Sequence, residues 1–391
     1  MKDIWMDRPA RKITRRCFAK LLPACVLVLG GGLTKAAGAA GSGNIYIQRL
    51  EDAIRRYTAI VAGGGWPAIE PGPLLKAGSS GPRLDALRER LFISGDFSGP
   101  QTRAAFYDEA LKLAVKKFQA RNGQEPDGTV GPATLKTLNI SAADRLKLLQ
   151  LNLRRWQSDP ADLGQRHVLV NMAGFELQAV EDGQVVLDLR TIVGKQYSET
   201  PIFSDRITLV EINPYWNAPA TIAAKELVPT FISNTADAES KGYEIVRNGR
   251  AEPLSSIDWQ SYQGQTQLPF GVRQRPGQFN VLGQYKFLFP NKYNVYLHDT
   301  SSRSLFNKTV RTFSHGCVRV QNPQLLAEFL LKDNIEWPPD KICATAQLGL
   351  PVTIKLKNPV PVHLMYMTAW MDRARKVQFR PDIYGRDKDW L

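Results

Sequence analysis

Two histidines and a cysteine lie close together in one stretch of the chain, HDTSSRSLFNKTVRTFSHGCVRV at residues 298–320. A cysteine attacks a carbonyl only as its thiolate, and so it needs a base or a positive environment, together with N–H donors for the oxyanion that develops. Cys317 is the candidate nucleophile, and His298 and His315 are the candidate bases. Gly316 lets the backbone turn sharply beside the thiol, which brings N–H groups close to a bound carbonyl.

Arg319 lies two residues after Cys317. On a strand its side chain therefore shares a face with the thiol, where it is suited to bind a substrate carboxylate. The alternative is a structural segment that contains a cysteine by coincidence, which composition alone favours. A zinc site is disfavoured, because two histidines and one cysteine lack a fourth ligand at the usual spacing. We therefore expect no metal, and the next question is which elements position the thiol.

Residues 1–39 have the composition of an export signal. A basic stretch precedes an apolar run at 21–33 and a small-residue end at 37–39. This pattern is typical of a cleaved secretory signal and is too short and too glycine-rich for a comfortable transmembrane helix. TRRCFAK at 14–20 resembles the twin-arginine export motif, with ordinary secretion or an uncleaved anchor as alternatives. We expect a periplasmic protein that contacts the membrane only transiently, during export.

The export signal also accounts for part of the net charge of +14. Eight lysines and arginines and two aspartates lie within it, which leaves +8 on the remaining chain. A basic surface suits an anionic cell envelope, and no basic-aromatic motif predicts a nucleic-acid partner. Without the signal only Cys317 and Cys343 remain. Because a disulfide would silence the nucleophile, we expect Cys343 to be a small buried apolar residue instead.

The part of the chain that follows the signal is predicted to be helical. Residues 44–75 carry apolar positions at helical spacing as far as a break rich in glycine and proline at 63–73. Two helices with one apolar face each, a tight turn at Asp127-Gly128 and a short helix then predict a small all-α domain at 76–140. Residues 141–160 are predicted to form a connecting helix.

From residue 161 the pattern becomes mainly β. Short runs rich in Val, Ile and Leu follow one another, with Asp182-Gly183 as a hairpin turn between two of them. An insertion at about 217–268 interrupts them with a helix, TIAAKELVPTFI, and a polar loop. So long an insertion is typical of a lid or substrate wall. The predicted fold class is α+β multidomain, with a mainly β catalytic domain at 161–391 that carries the lid.

The segment at 76–140 resembles the type 1 peptidoglycan-binding domain family. The resemblance is carried by a helix that ends in Phe-Gln, here the stretch from Ala114 to Gln119, followed by Asp-Gly-x-x-Gly-x-x-Thr. The second motif corresponds to Asp127, Gly128, Gly131 and Thr134. The resemblance implies a domain that binds peptidoglycan, with a scaffold that no longer binds sugar as the alternative.

The ordered string His-x15-Ser-His-Gly-Cys-Val-Arg is similar to the active-site signature of the L,D-transpeptidases. The stretches INPYWNAP and LGQYKFLFPNKYNVYLHDT resemble the large periplasmic members with an inserted peptidoglycan-binding domain. The resemblance implies that Cys317 attacks a tetrapeptide donor stem between diaminopimelate and the terminal D-alanine, leaving a thioester. The side-chain amine of an acceptor stem then attacks the thioester to give a 3→3 crosslink. No cofactor is implied, and a carbapenem should acylate Cys317.

The same resemblance assigns roles to individual residues. His298 is the proton acceptor, oriented by a backbone carbonyl, while His315 shapes the pocket. The N–H groups of Cys317 and Gly316 form the oxyanion hole. The residues implied in substrate binding are Arg319, Ser314, Tyr296 and Trp216.

Other outcomes of the same chemistry stay open, because the sequence does not identify the acceptor. Water would make the protein an L,D-carboxypeptidase or an endopeptidase for 3→3 bonds, and a lipoprotein amine would make it an anchoring enzyme. A non-catalytic wall-binding protein is the alternative from another class. The insertion at 217–268 favours a pocket for two bulky stems.

Overall fold

The computed structural model describes residues 42–99, 106–158 and 162–388, and the export signal expected at 1–39 lies outside them. The helices expected in the first part of the chain are all present. They are α1 (Ser42–Ala62), α2 (Arg83–Ser94), α3 (Glu109–Arg121), α4 (Pro132–Leu138) and α5 (Ala142–Ser158).

The small helical domain packs α2, α3 and α4 around one apolar core that includes Leu87, Leu111 and Phe118. The buried amide of Gln119 organises the turn after α3. Its Nε2 donates to Asp127 Oδ1 at 2.8 Å and to Thr134 Oγ1 at 3.2 Å, while its Oε1 accepts from the N–H of Gly128 at 2.8 Å. Gly128 has φ +78°, which favours glycine. These signature residues thus stabilise the fold of the domain.

Helices α1 and α5 do more than connect the domains. Tyr57 of α1 and Trp156 of α5 share an apolar core with Met365, Met367 and Phe379 from the C-terminal part of the chain. This shared core joins the helical region firmly to the β domain, since large apolar side chains from both are removed from water together.

The β domain contains fifteen strands in the described ranges. They are β1 (Arg166–Asn171), β2 (Glu176–Glu181), β3 (Gln184–Gly194), β4 (Phe203–Ile212), β5 (Trp216–Asn217), β6 (Tyr243–Arg247), β7 (Arg250–Glu252), β8 (Gly271–Gln274), β9 (Tyr285–Leu288), β10 (Leu297–His298), β11 (Thr312–Ser314), β12 (Val318–Val320), β13 (Val352–Met365), β14 (Ala369–Met371) and β15 (Val377–Phe379). The mainly β region and the helical region together confirm the α+β class.

Nine strands form the main sheet, in the order β11-β3-β12-β10-β9-β4-β13-β1-β2. The sheet closes on itself, because the first part of β3 pairs with β2 and its last residues pair with β12 and β11. The turn between β2 and β3 is the hairpin predicted from Asp182 and Gly183, which have φ +50° and +72°. Closure removes most free edges and encloses one apolar core.

Two helices of the β domain were not predicted from the sequence. α9 (Pro323–Leu331) and α10 (Pro339–Leu348) pack against the core of the main sheet through Leu326, Leu330 and Ile342. Both have Pro in the first turn, where its missing N–H costs no hydrogen bond. In the described ranges we find no helix that is long and apolar enough to cross a membrane.

The insertion is a small folded unit rather than a helix and a polar loop. α6 (Ala220–Ile222), a π-helical turn (Ala223–Leu227), α7 (Val228–Ser233) and α8 (Thr235–Ser240) cover a second sheet of order β5-β8-β6-β7. Its core is aromatic, with the ring of Phe231 4.8 Å from Trp259 and that of Trp259 5.8 Å from Phe270. The expected loop contains the hairpin β6–β7, and the unit extends to Gln274. We refer to residues 216–274 as the lid.

Candidate active site

The pairing of β10 with β12 brings the predicted site residues together. These parallel neighbours place Leu297 opposite Val318 and His298 opposite Arg319. Leu297 and Val318 are fully buried in the core of the sheet. Because side chains alternate along a strand, His298 and Arg319 lie on the other face, as does Cys317 immediately before β12.

A cavity of about 690 Å³ opens on this face, between the main sheet and the lid. Seven of the eight site residues predicted from the sequence line this cavity. The exception is Gly316, which lies between His315 and Cys317 in the loop before β12. The seven are Trp216, Tyr296, His298, Ser314, His315, Cys317 and Arg319.

The thiol of Cys317 is free and half-buried. Its Sγ lies 3.8 Å from the carbonyl oxygen of Asn294. Burial raises the pKa of Cys317, and a hydrogen bond from Tyr296 and the positive charge of Lys286 oppose this effect. The thiol therefore needs a base before it becomes a nucleophile. Cys343 is buried, as expected, but it is disulfide-bonded rather than a free thiol, which corrects the second half of the expectation.

His298 is a buried imidazole that is neutral at physiological pH. Burial, with a smaller contribution from the positive charge of Arg319, lowers the pKa of His298 to about 3. The ring packs edge-on against Tyr296 at 5.5 Å. Within the described part of the chain its Nδ1 has no partner at ideal hydrogen-bond geometry, while a weaker contact with the backbone of Asp299 opposes the fall of the His298 pKa. A neutral ring accepts a proton, and a negative charge developing beside it would stabilise the imidazolium.

Hydrogen bonds hold the loop before Cys317. Ser314 Oγ donates to the carbonyl of Cys317 and accepts the N–H of Gly316 at 3.2 Å. Thr200 Oγ1 donates to the carbonyl of Gly316 at 2.8 Å. Gly316 has φ +112°, a conformation that side chains disfavour. Since its N–H is already donated, the N–H of Cys317 is the better donor for an oxyanion.

His315 is directed towards the lid. Its Nε2 lies 2.8 Å from Oε1 of Glu226, in the π-helical turn of the lid. Sequence reasoning did not single out Glu226, because nothing in the spacing of TIAAKELVPTFI marks it as a partner of a residue far along the chain.

Lys286 is a further residue of the site that the sequence did not reveal. It lies opposite His298 in the pairing of β9 with β10. Its Nζ is 3.3 Å from Glu211 on β4 and 4.7 Å from the centre of the Tyr296 ring. The alternation in YKFL places Lys286 on the polar face, but only the register between strands brings it beside His298.

The functional groups of the site suit acyl transfer. Within residues 42–99, 106–158 and 162–388, no three His, Cys, Asp or Glu residues are grouped as metal ligands would be. A thiol, a neutral imidazole and a backbone N–H, together with Arg319 and Lys286, suit attack on the carbonyl of an anionic substrate.

Two family models match the chain. Residues 165–354 match the L,D-transpeptidase catalytic domain, and residues 80–138 match a putative peptidoglycan binding domain. A putative L,D-transpeptidase from Haemophilus influenzae is 35% identical over 222 residues, which are 56% of this chain and 44% of that protein. The N-acetylmuramoyl-L-alanine amidase CwlL from Bacillus licheniformis is 40% identical over 77 residues, which are 19% of this chain and 21% of that protein. The matches thus span less than half the length of these two relatives.

Two solved structures are also similar to this chain. An L,D-transpeptidase from Xylanimonas cellulosilytica is 19% identical, with 76% of this chain and 100% of that chain covered and a TM-score of 0.25. An L,D-transpeptidase from Stackebrandtia nassauensis is 15% identical, with 76% and 96% covered and a TM-score of 0.27.

Proposed function

Because residues 165–354 match the L,D-transpeptidase catalytic domain and residues 80–138 match a putative peptidoglycan binding domain, we propose that the protein forms 3→3 crosslinks between peptide stems through a thioester at Cys317. The observation that carries the proposal is the free thiol of Cys317 beside the His298–Arg319 pair of β10 and β12, in a cavity of about 690 Å³. We further propose that the protein acts in the periplasm after export by the twin-arginine route.

Acylation begins with a donor tetrapeptide in the cavity. Sγ of Cys317 attacks the carbonyl that joins diaminopimelate to D-alanine, and His298 takes the thiol proton. The N–H of Cys317 stabilises the oxyanion. When the tetrahedral intermediate collapses, the C–N bond breaks, the proton passes from His298 to the leaving amine, and D-alanine departs. A thioester remains.

The second half-reaction transfers the acyl group to an acceptor stem. The side-chain amine of the acceptor attacks the thioester, His298 removes a proton from the nitrogen, and the thiol is released as the new amide bond forms. The energy of the original peptide bond is carried by the thioester, so that no nucleotide is consumed. Arg319 and Lys286 are suited to bind carboxylates of the stems.

The lid supports transfer over hydrolysis. Trp216, Ile222 and Leu227 give its side of the cavity an apolar wall, which limits access of water to the thioester. The cavity is also within the size range of sites that enclose whole small molecules. Carboxypeptidase, endopeptidase and lipoprotein-anchoring reactions proceed through the same thioester and differ in the acceptor.

The test is a product analysis. The chain without residues 1–39 is incubated with purified disaccharide-tetrapeptides, and the products are identified by mass spectrometry. We expect a 3→3 dimer with loss of one D-alanine. Tripeptide alone would assign hydrolysis instead. The Cys317→Ala variant is the control, because it should retain binding to sacculi while it loses turnover, and turnover by this variant would contradict the mechanism.

A further inference from the structure

A second cavity, of about 370 Å³, lies where the small helical domain meets the catalytic domain. One wall is formed by the end of α3 and the turn at 123–126. The other comes from Gly174-Phe175, the segment 307–311 and the C-terminal segment 380–383. We call this cavity the interdomain cleft. It shares no lining residue with the cavity at Cys317.

The lining of the interdomain cleft is strongly basic. Arg190, Lys308, Arg311 and Arg380 face it, and Glu125 is its one acidic residue. In the described ranges none of the four cations forms an ion pair with a carboxylate. So many unpaired cations around one cavity create a positive potential that favours an anionic occupant.

The guanidinium of Arg311 is held by neutral groups. It donates to the backbone carbonyls of Thr191 at 3.0 Å, Lys308 at 2.8 Å and Phe175 at 3.0 Å. Arg190 Nη1 likewise donates to the carbonyl of Phe306 at 3.2 Å. These bonds fix the two guanidinium groups in place without neutralising them, so this part of the site is organised before an anion binds.

The acidic groups nearby compensate this charge only in part. Glu125 Oε2 accepts a hydrogen bond from Thr309 Oγ1 at 2.8 Å, which ties the two walls together. Glu176, behind Arg380, has its pKa raised to about 7 by burial and so is only partly ionised near neutral pH. Burial, and then repulsion by Arg190 and Arg380, lowers the pKa of Arg311 to about 10, as expected where positive charge is in excess.

The interdomain cleft is connected to the nucleophile through the chain. Arg311 directly precedes β11, whose Thr312 pairs with Val193 of β3, and β11 continues into the loop that contains Cys317. An occupant of the cleft therefore contacts the same segment that presents the thiol.

We propose that the interdomain cleft is a second binding site, which takes the free carboxylates of a peptide stem other than the stem held at Cys317. Guanidinium groups bind carboxylates in a planar, two-bond geometry, and an uncharged glycan would not use four cations. The identity of the ligand as a peptide stem rests on the proposed function. The cavity and its charge stand independently of it.

The test measures binding by the full chain in the Cys317→Ala background, so that turnover does not interfere. Disaccharide-tetrapeptide is titrated by isothermal calorimetry, and the same compound with its carboxylates converted to carboxamides serves as the uncharged probe. Lys308→Glu reverses one charge of the cleft at an exposed residue, and Arg190→Gln removes another while keeping a donor for the carbonyl of Phe306. Lys357→Glu, at an exposed residue of β13, is the matched control.

We expect two sites per chain, of which the one at the cleft weakens about tenfold or more with Lys308→Glu or Arg190→Gln, in line with the loss of a charge-assisted contact. Lys357→Glu should leave both sites within twofold, and the carboxamide should not occupy the cleft. A single site that is insensitive to Lys308→Glu, with unchanged thermal unfolding, would overturn the inference.

Two further outcomes separate the ligand from the function. If inorganic phosphate binds the cleft in a manner that depends on Lys308 while the carboxamide binds as well as its parent, the assignment to stem carboxylates is overturned. If the cleft binds the stem as expected but the unmodified enzyme makes no 3→3 dimer, the binding site is supported and the proposed transfer reaction fails.

Discussion

Nε2 of His315 and Oε1 of Glu226 lie 2.8 Å apart, which joins the loop before Cys317 to the π-helical turn of the lid. The two side chains are 32% and 51% exposed. At that exposure the pair contributes about 1 kcal/mol or less, so it can hold the lid over the cavity and still open for substrate. π-Helical turns of this kind often occur at functional sites.

Removal of the Glu226 carboxylate should loosen the lid. For Glu226→Ala we expect KM for the donor stem to rise several-fold with kcat little changed, because the wall of the cavity loses its contact with His315 while the nucleophile is untouched. Steady-state kinetics on disaccharide-tetrapeptide measure both constants. Lys225→Ala, at the exposed neighbouring residue, is the control and should leave KM unchanged. An equal effect of the two variants would argue against the lid contact.

The two histidines should differ in their effect on acylation. His298 lies one strand from the nucleophile in β10, whereas His315 is exposed and bound to the lid. Loss of a general base costs about 10²–10⁴-fold, and we expect this for His298→Ala. His315→Ala should slow acylation by less than about tenfold. Mass spectrometry of carbapenem adducts over time gives the rates, and the reverse order would make His315 the base.

The acylation rate should depend on pH through the thiol. Because burial raises the pKa of Cys317 while Lys286 and Arg319 lower it, the ionised fraction increases with pH through the alkaline range. We expect Lys286→Met to shift the alkaline limb of the rate profile to higher pH and to slow acylation near neutrality. Lys292→Met, an exposed lysine on the neighbouring loop, is the control. An unshifted profile would show that Lys286 does not act on the thiolate.

Acid should destabilise the protein through its buried histidines. Burial lowers the pKa of His167 to about 4 and that of His298 to about 3, both below the unfolded value near 6.5. The unfolded state therefore binds more protons below pH 6.5, so stability is fully present above that pH and falls as the pH drops towards the folded values. At pH 5 each of these histidines should lower the free energy of unfolding by about 2 kcal/mol.

The variant His167→Asn tests this dependence away from the active site, since Asn can keep a donor for the Gly164 carbonyl that now lies 2.7 Å from Nδ1. The free energy of unfolding is measured with denaturant at pH 7 and pH 5. Between these two pH values it should fall by about 2 kcal/mol less in His167→Asn than in the unmodified protein. The same loss in both proteins would mean that His167 does not titrate on unfolding.

How far the sequence predicts the site can be judged from His298 and Lys286. His298 was found because it stands at a fixed distance from Cys317 within one signature, whereas Lys286 becomes its neighbour only through the register of β9 and β10. Glu226 and Thr200 were missed for the same reason, since each meets the loop at 314–317 from a distant segment. Local periodicity carries no information on such pairings.

The same reasoning applies to the fold. The helices α1 to α5 and the hairpin at Asp182-Gly183 follow from local patterns, and the structure has them where they were expected. Helices α9 and α10 were missed because short apolar runs such as LLAEFLL are also consistent with buried strands. The hairpin β6–β7 was missed because its strands are short and do not alternate regularly between buried and exposed residues.

The closure of the main sheet through β3 has a consequence for the order of folding. β3 joins β2, which precedes it in a local hairpin, to β12 and β11, which lie more than a hundred residues further along the chain. Contacts between such distant segments form late, because they require large loops to be closed first. The loop that contains Cys317 takes its folded shape only when those last pairings form, so a partly folded chain exposes the thiol without His298 and without the cavity beside it.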